Sequence, residues 1–443
     1  MKILHYFLGF PPYRTGGMTN FAFDLMSSQV EDGNEIIALW PGKINFIFPR
    51  QIKIKKRKSI NQIVNYEIIN PLPISLDEGI NNIKEFVKEC DYKIYYEFLN
   101  KIKPEVIHIH TLMGLHKEFI KAANLLGIKT VFTTHDYFGI CPKVILYKFG
   151  NVCDNDNDCK ECIKCNYEAL SMKKIKLMQS PLYRNLKNSK LVRYLRKKHR
   201  SNFFEETKPN FVENDTELEC RKKEYQKLRK YYIDILENID VIHFNSNLAK
   251  EIYLKYIHPK HYEVISISHK NIKDNRNQKH IEGDKIRFTF LASTKPYKGF
   301  YLLKEVLDEL YKKTYYEFEL NVYGNVNEKS EYMNIHEEGF SQNELSEIFS
   351  KTDMLIAPSI WYETFGFTVL EALSYGVPVM VSNNVGAKDI VGDAGIIIKA
   401  NNNELKENLQ KLSRKKLDEL RKSKIKIESW NDFNIKINEL YKR

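Results

Sequence analysis

The sequence of 443 residues lacks any apolar run of the roughly eighteen residues that a membrane-spanning helix needs. It also lacks the apolar core and small-residue cleavage site that would follow Lys2 in a signal peptide, so we interpret the opening residues as a strand and expect a cytoplasmic protein. Low-complexity tails are absent, and so are internal repeats beyond the similarity of the two halves. What remains is a globular chain, long enough for two α/β domains or for two and an insertion.

Basic residues are in excess, and the excess is concentrated in one segment. The formal net charge is +12, and residues 171–200 contain eleven Lys or Arg and no Asp or Glu, interleaved with apolar side chains. This mixture is typical of a helix on an anionic membrane surface, which would make the protein peripheral on the inner face of the cell membrane. A solvated helical face explains the pattern nearly as well. Nucleic acid is the rival partner for this basic segment. Because no nucleic-acid-binding module is recognisable, we expect the protein not to bind nucleic acid.

Five of the seven cysteines fall within twenty-five residues. Cys153, Cys159, Cys162 and Cys165 form the tight part of this cluster, and Cys141 precedes them. In a reducing compartment, clustered thiols indicate a metal or a redox function more than disulfides. Four thiolates around a structural Zn²⁺ would organise a segment too polar to fold alone, whereas reduced free thiols and then disulfides are the alternatives.

Strand-like apolar runs alternate with helical patterns along most of the chain, which predicts doubly wound parallel sheets. The first strand is followed by a loop containing Gly16 and Gly17, a helix and a second strand. Paired glycines let the backbone approach a ligand closely. Two further predicted strands end at His110 and His135, and ligands gather at the carboxyl ends of parallel strands. Both histidines are therefore candidate site residues.

The alternation lapses over about 141–236, which predicts a cysteine-containing, basic helical insertion in the first domain. A polar stretch that starts at Ser266 favours a link between domains. We therefore expect a first domain over 1–265, a second over 266–425 and a final helix over 426–443 that crosses back to the first domain.

The segment around Glu363 and Glu371 carries the most specific pattern. Glu363 lies in the predicted loop after an apolar strand, and Glu371 lies on the helix that follows a glycine turn. Exposed amides near Thr368 and Val369 could bind a phosphate, because the helix dipole favours an anion there. The carboxylates would then accept hydrogen bonds from hydroxyl groups, an arrangement that suits a sugar nucleotide.

In full, the segment reads P-S-x-x-x-E-x-F-G-x-x-x-x-E-A-x-x-x-G-x-P-V, and it resembles the E-x7-E signature of retaining glycosyltransferases of family 4. Those enzymes have the GT-B fold, in which two Rossmann-like domains face a cleft. The run T-H-D-Y-x-x-x-C-P at 134–142 is similar to a form found in a subset of that family with cysteines just downstream. The resemblance implies that His135 reaches the donor sugar, and that Gly16 and Gly17 face the donor diphosphate.

Within the second domain, the resemblance implies that Glu363 holds hydroxyls of the donor sugar, helped by backbone amides of Phe365 and Gly366. Glu371 would hold the ribose hydroxyls. Lys298 matches the lysine of the family's R-x4-K-G element and would neutralise the diphosphate.

Two positions depart from the family pattern. Ser293 stands where the arginine of R-x4-K-G is expected, and Lys295 is the candidate substitute. The run Ser266 to His269 replaces an N-G-[VI] turn, so that contact is not carried over.

The resemblance implies sugar transfer from a UDP- or GDP-type donor to a glycan or lipid-linked acceptor, with retention at the anomeric carbon and no cofactor required for catalysis. Synthesis of a bacterial surface polysaccharide is the expected setting. Two alternatives remain: another GT-B sugar-nucleotide enzyme, such as an epimerase or hydrolase, and a catalytically silent scaffold that binds glycan or membrane. The serine at position 293, where the family's arginine is expected, favours the scaffold alternative.

Overall fold

The computed structural model describes residues 1–11, 13–45, 51–187, 189, 190, 192, 194, 215–276, 283–313, 317–326 and 328–442. Its strands are β1 (Lys2–Tyr6), β2 (Glu35–Pro41), β3 (Lys53–Ile60), β4 (Ile63–Ile69), β5 (Val106–Ile109), β6 (Lys129–Thr133), β7 (Tyr147–Lys148), β8 (Asn151–Val152), β9 (Val241–Phe244), β10 (His261–Val264), β11 (Ile286–Phe290), β12 (Phe318–Tyr323), β13 (Met333–His336), β14 (Met354–Ala357), β15 (Val379–Ser382) and β16 (Gly395–Ile398).

The α-helices run over Gly17–Glu31, Ile83–Phe86, Lys93–Ile102, Lys117–Leu125, Lys160–Cys165, Met172–Met178, Pro181–Leu186, Asp215–Glu237, Asn247–Tyr253, Phe300–Lys312, Leu345–Ser350, Phe367–Ser374, Asn402–Gln410, Arg414–Arg421 and Trp430–Lys442. None of the helices in the described ranges is long and apolar enough to cross a membrane.

The first sheet has the strand order β10-β9-β6-β5-β1-β2-β4-β3. Every neighbouring pair is parallel except β3 and β4, which are antiparallel. The central strands are apolar because helices cover both faces of a parallel sheet, and all four residues of β5 are buried. Strand β3 lies at the edge, where its exposed lysines discourage pairing with another chain.

The second sheet is parallel throughout and has the order β13-β12-β11-β14-β15-β16. The strand order reverses direction between β11 and β14, which lie side by side. In doubly wound sheets, ligands bind beside the carboxyl ends of strands at this switch point. The loops after β11 and β14 carry Lys298 and Glu363, so the topology brings these two distant segments together.

The segment between β6 and β9 contains a short hairpin and several helices in addition to residues that lie outside the described ranges. The long helix Asp215–Glu237 packs into the core of the first domain. Tyr225 donates to the carbonyl of Ile80 at 2.7 Å, and Tyr232 donates to the carbonyl of Phe86 at 3.0 Å. This part of the segment is therefore integral to the first domain.

The last helix, Trp430–Lys442, returns to the first domain. Nε1 of Trp430 donates to Oγ of Ser28 at 2.7 Å, and the rings of Phe433 and Phe21 are 5.4 Å apart. Because its apolar face is buried against the first domain, this helix ties the two domains together at the side of the cleft.

Candidate active site

Glu363 and Lys298 form an ion pair at the switch point of the second sheet. Nζ of Lys298 donates to Oε1 of Glu363 at 2.6 Å, and Oγ of Ser359 donates to Oε2 at 2.8 Å. Both charged side chains are mostly buried, with 17% and 20% of their surfaces exposed. Lys298 also lies over the ring of Trp361, 4.9 Å from its centre. The pair is a compact polar site with one cation and one anion.

The turn after Glu363 depends on Gly366. Its φ of 109° is rarely adopted by other residues, and a Cβ there would lie 2.9 Å from Cγ1 of Val385. The chain then enters the helix Phe367–Ser374, where the Val369 amide donates to the carbonyl of Gly366 at 3.1 Å. The amides of Phe367 and Thr368 are the ones that the helix start leaves without intrahelical partners. Thr368 is partly exposed at this helix start, whereas Phe365 and Val369 are buried beneath it.

The glycine loop of the first domain lies opposite this turn. A Cβ on Gly17 would lie 3.8 Å from the ring of Phe367, so the two domains approach each other closely here. Gly16 has a φ of 124° and open space beside it. The structure thus brings Gly16, Gly17 and the loop before the helix Phe367–Ser374 to the same narrow part of the cleft.

Glu371 occupies a second polar position on the same helix. Its residue surface is only 3% exposed, and Oε1 accepts a hydrogen bond from Nε2 of Gln342 at 2.7 Å. Nε2 of His269 lies 3.1 Å from the same oxygen, and the His269 ring packs edge-on against Phe367 at 5.4 Å. The carboxylate is therefore hydrogen-bonded to Gln342 and lies beside His269, two side chains from different parts of the chain.

His135 borders the second domain and lies two residues beyond β6, which ends at Thr133 and not at His135 as predicted. Its carbonyl oxygen accepts a hydrogen bond from Oγ1 of Thr364 at 3.0 Å, next to Glu363. Its ring lies against Phe21, and Nε2 is 3.3 Å from Nδ1 of His110. Burial lowers the pKa of His135 to about 3, so the imidazole is neutral at physiological pH.

Three contacts were missed by sequence reasoning. His269 stands where the expected turn motif is absent, and its proximity to Glu371 depends on the path of the interdomain link. Gln342 belongs to no motif that would predict its hydrogen bond to Glu371. Lys295, considered as a replacement for the missing arginine, donates to Asp77 of the first domain at 2.5 Å, while Ser293 is exposed. The capping-box pattern at 341–344 was the available signal for Gln342, because it locates the helix start beside Glu371.

The cysteine cluster does not bring its four predicted ligands together. The donor atoms of Asp156, Cys159 and Cys162 lie within 4.8 Å of one another, and in the described ranges neither Cys153 nor Cys165 joins such a group. Arg229 donates to Asp156 and approaches Sγ of Cys162 at 3.7 Å. Arg229 is thus the partner of Asp156 beside Cys162, and zinc binding by the four thiolates stays a prediction.

The basic segment is partly anchored and partly exposed. Nη2 of Arg184 donates to the buried carboxylate of Glu67 at 2.9 Å, which attaches the helix Pro181–Leu186 to the first domain. By contrast, Leu177 and Leu182 are 48% and 62% exposed. Several residues of 171–200 lie outside the described ranges, so the exposed surface is defined here only by its first half.

The two sheets, which are parallel except for the β3–β4 pair, the cleft between them and the returning last helix form the GT-B fold, with two Rossmann-like domains. Residues 271–428 match the family model described as glycosyl transferases group 1, and this match includes Lys298, Glu363 and Glu371. The matched residues form most of the second domain.

Among relatives of the sequence, a 41.2 kDa protein in the cps region of Klebsiella pneumoniae is 32% identical over 124 residues, which cover 26% of this chain and 33% of the relative. The O-antigen chain mannosyltransferase B of Escherichia coli is 40% identical over 58 residues, covering 13% and 15%. The chain thus spans a third or less of the length of these curated relatives. Among solved structures, Anabaena HepE in complex with UDP and glucose has a TM-score of 0.53 at 13% identity, covering 100% of this chain and 99% of that one.

Proposed function

We propose that the protein is a retaining glycosyltransferase that moves a sugar from a nucleotide-diphosphate sugar to a glycan or lipid-linked acceptor. The observation that carries this proposal is the pairing of Lys298 with Glu363 at the switch point, beside the start of the helix that bears Glu371. A cation, a carboxylate and free helical amides next to one another suit a diphosphate joined to a sugar. The family match over the same residues supports this assignment.

The donor is proposed to lie along the second domain. Lys298 and the amides of Phe367 and Thr368 would hold the diphosphate, because the Val369 amide predicted for this role already donates to the carbonyl of Gly366. Glu363 would accept hydrogen bonds from hydroxyls of the donor sugar, and the amides of Phe365 and Gly366 would donate to that sugar. Glu371 would accept hydrogen bonds from the ribose hydroxyls. Gly16 and Gly17 would close the opposite side. A UDP- or GDP-type nucleotide is proposed, and the UDP complex of Anabaena HepE supports the former.

Retention is proposed to follow from attack on the face that the diphosphate leaves. The acceptor hydroxyl oxygen forms a bond to the anomeric carbon as the bond from that carbon to the phosphate oxygen breaks. The acceptor's proton passes to a leaving phosphate oxygen. Lys298 and the helical amides would stabilise the charge that builds on the diphosphate. Because the acceptor's proton passes directly to the leaving diphosphate, the proposed step requires no cofactor.

Synthesis of a surface polysaccharide at the inner face of the cell membrane is the proposed setting. The name of one curated relative refers to a cps region and that of the other to an O-antigen chain, and both match short stretches of this chain. Leu177 is exposed on a helix that carries Lys173, Lys174 and Lys176, and Leu182 and Leu186 are exposed on the next helix. This mixture suits contact with an anionic membrane. Lipid-linked acceptors are found at such a surface.

The first experiment is a screen of UDP- and GDP-sugars by thermal shift, followed by transfer assays with the donors that bind. We expect Glu363→Ala to abolish transfer while the protein stays folded, and Glu347→Ala, an exposed residue of the same domain, to keep it. Full activity of Glu363→Ala would refute the assignment. Donor turnover without added acceptor would indicate a hydrolase or epimerase, and failure to bind any donor would indicate a scaffold.

A further inference from the structure

A continuous chain of hydrogen bonds runs through the first domain from His135 to the start of the interdomain link. Its members are buried polar side chains from β1, β5, β6, β9, the first helix and the last helix. In order, the contacts are His135 Nε2 to His110 Nδ1 (3.3 Å), His110 Nε2 to His5 Nδ1 (3.0 Å), His5 Nε2 to Gln29 Oε1 (2.8 Å), Gln29 Nε2 to Tyr441 OH (3.2 Å), Tyr441 OH to His108 Nδ1 (2.6 Å), His108 Nε2 to Thr133 Oγ1 (2.7 Å), Thr133 Oγ1 to His243 Nδ1 (2.9 Å) and His243 Nε2 to the carbonyl of Ile265 (2.8 Å).

The rings in this chain are neutral. Burial lowers the pKa of His5 and His243 to about 4, and it lowers the pKa values of His108 and His110 well below their ordinary range. A neutral imidazole has one nitrogen that donates and one that accepts. Each ring therefore passes on the direction of its hydrogen bonds, so that a donor on one side requires an acceptor on the other.

The direction of the chain is set at its far end, where the carbonyl of Ile265 can only accept. His243 must donate from Nε2, so its Nδ1 accepts from the hydroxyl of Thr133. The Thr133 oxygen then accepts from Nε2 of His108, which leaves Nδ1 of His108 to accept from Tyr441.

The same logic continues to the cleft. Because the Tyr441 proton is used on His108, the phenol oxygen accepts from the amide nitrogen of Gln29. This orients the Gln29 oxygen toward His5, which must donate from Nε2 and accept at Nδ1. His110 in turn donates to His5 and accepts from Nε2 of His135. If the amide of Gln29 were reversed, every contact would reverse, and two acceptors would meet at the carbonyl of Ile265.

We propose that Tyr441, Gln29 and Thr133 are positioning residues. Because the Ile265 carbonyl can only accept, these residues fix the donor and acceptor of each hydrogen bond up to His135 and hold its ring as the Nε2–H tautomer. Within the described ranges, His135 uses only Nε2 in a hydrogen bond, so Nδ1 is left as an acceptor. An acceptor nitrogen is suited to a hydroxyl of the bound sugar, a step that rests on the proposed function. The tautomer itself does not depend on that function.

The test is the tautomer of His135 in ¹⁵N-histidine-labelled protein, measured by long-range ¹H–¹⁵N correlation and assigned with His135→Asn. The wild type should show a protonated Nε2 and an unprotonated Nδ1. Tyr441→Phe and, independently, Thr133→Val should disconnect His135 from the carbonyl, so that the Nδ1–H tautomer appears as a second population. If the two populations become comparable, donor affinity should fall roughly twofold, since only one of them can accept the sugar hydroxyl.

Tyr225→Phe is the matched control, because it removes a buried phenol hydroxyl that donates to the carbonyl of Ile80 and takes no part in this chain of hydrogen bonds. It should leave His135 as the Nε2–H tautomer. An Nδ1–H tautomer in the wild type would overturn the proposal, and so would an unchanged single tautomer in folded Tyr441→Phe and Thr133→Val. If the tautomers behave as expected but the protein transfers no sugar, the proposed function is refuted, whereas the positioning of His135 by the hydrogen-bond chain is supported.

Discussion

Nζ of Lys298 lies 2.6 Å from Oε1 of Glu363, although the two side chains were predicted to hold different parts of one ligand. Each charge neutralises the other, which allows both to be mostly buried at the switch point without an unpaired ion. A bound diphosphate would compete with Glu363 for the ammonium and release the carboxylate for the sugar hydroxyls. If the proposed donor binds here, the ion pair is expected to open.

Lys298→Met tests this exchange. We expect the affinity for UDP or GDP, whichever the protein binds, to fall at least about tenfold, because a charge-assisted hydrogen bond to phosphate is lost. Titration calorimetry measures it. Lys351→Met, which removes an exposed lysine of the same domain, is the control and should bind normally. Unchanged affinity in Lys298→Met would place the diphosphate elsewhere.

Glu371→Gln tests ribose recognition. The wild type should bind the nucleoside diphosphate roughly tenfold more tightly than its 2′-deoxy analogue, since the analogue leaves a buried carboxylate with one hydrogen bond fewer. In Glu371→Gln that ratio should fall toward one, whereas Glu347→Gln should retain it. Competition binding with the two nucleotides provides the measurement. An equal ratio in both variants would show that Glu371 does not contact the ribose.

Gly366→Ala tests the turn between the two glutamates. We expect the free energy of unfolding to fall by about 1–3 kcal/mol, because a Cβ is forced into an unfavourable φ of 109° and against Val385. Gly339→Ala is matched in having a positive φ of 78° but has no atom within 4 Å of the added Cβ, so its loss should be smaller. Chemical denaturation compares them, and equal losses would exclude the steric contribution.

The buried histidines predict a loss of stability in mild acid. The pKa values of His5, His135 and His243 are lowered to about 4, 3 and 4, whereas an unfolded histidine titrates near 6.5. Between about pH 6.5 and 4 the unfolded chain binds more protons than the folded one, so the free energy of unfolding falls as pH falls. Each such histidine contributes a slope of about 1.4 kcal/mol per pH unit. Denaturation curves at pH 7.5, 6.5 and 5.5 should show this decrease; equal stability at all three would contradict it.

Zinc binding by the cysteine cluster remains a prediction from the sequence, and metal analysis of the purified protein checks it. If zinc is present, Cys159→Ser and Cys162→Ser should lower the zinc content, because these thiols lie together with Asp156. Cys220→Ser, at an exposed site, should not. Absence of zinc from the wild type would agree with Arg229 as the permanent partner of Asp156 and Cys162.

The sequence by itself determined the local structure and the type of fold. Strands such as β5 and β14 can be predicted because buried parallel strands are continuous apolar runs. The helix after Gly366 can be predicted because glycines flank its start and its end. The observed helix, Phe367–Ser374, begins directly after the glycine turn, as predicted, and carries Glu371. The alternation of such elements predicts doubly wound sheets, and the resemblance to family 4 implies the GT-B fold, which the comparison with solved structures confirms.

Tertiary structure alone decided which of these residues meet. The pairing of Lys298 with Glu363 depends on β11 lying beside β14, and the contact of His269 with Glu371 depends on the path of the interdomain link. The hydrogen-bond chain behind His135 joins four strands and two helices, including one at the far end of the sequence. Local patterns specify how a segment folds, but partners, burial and the direction of a hydrogen bond depend on the atoms that other segments place beside it.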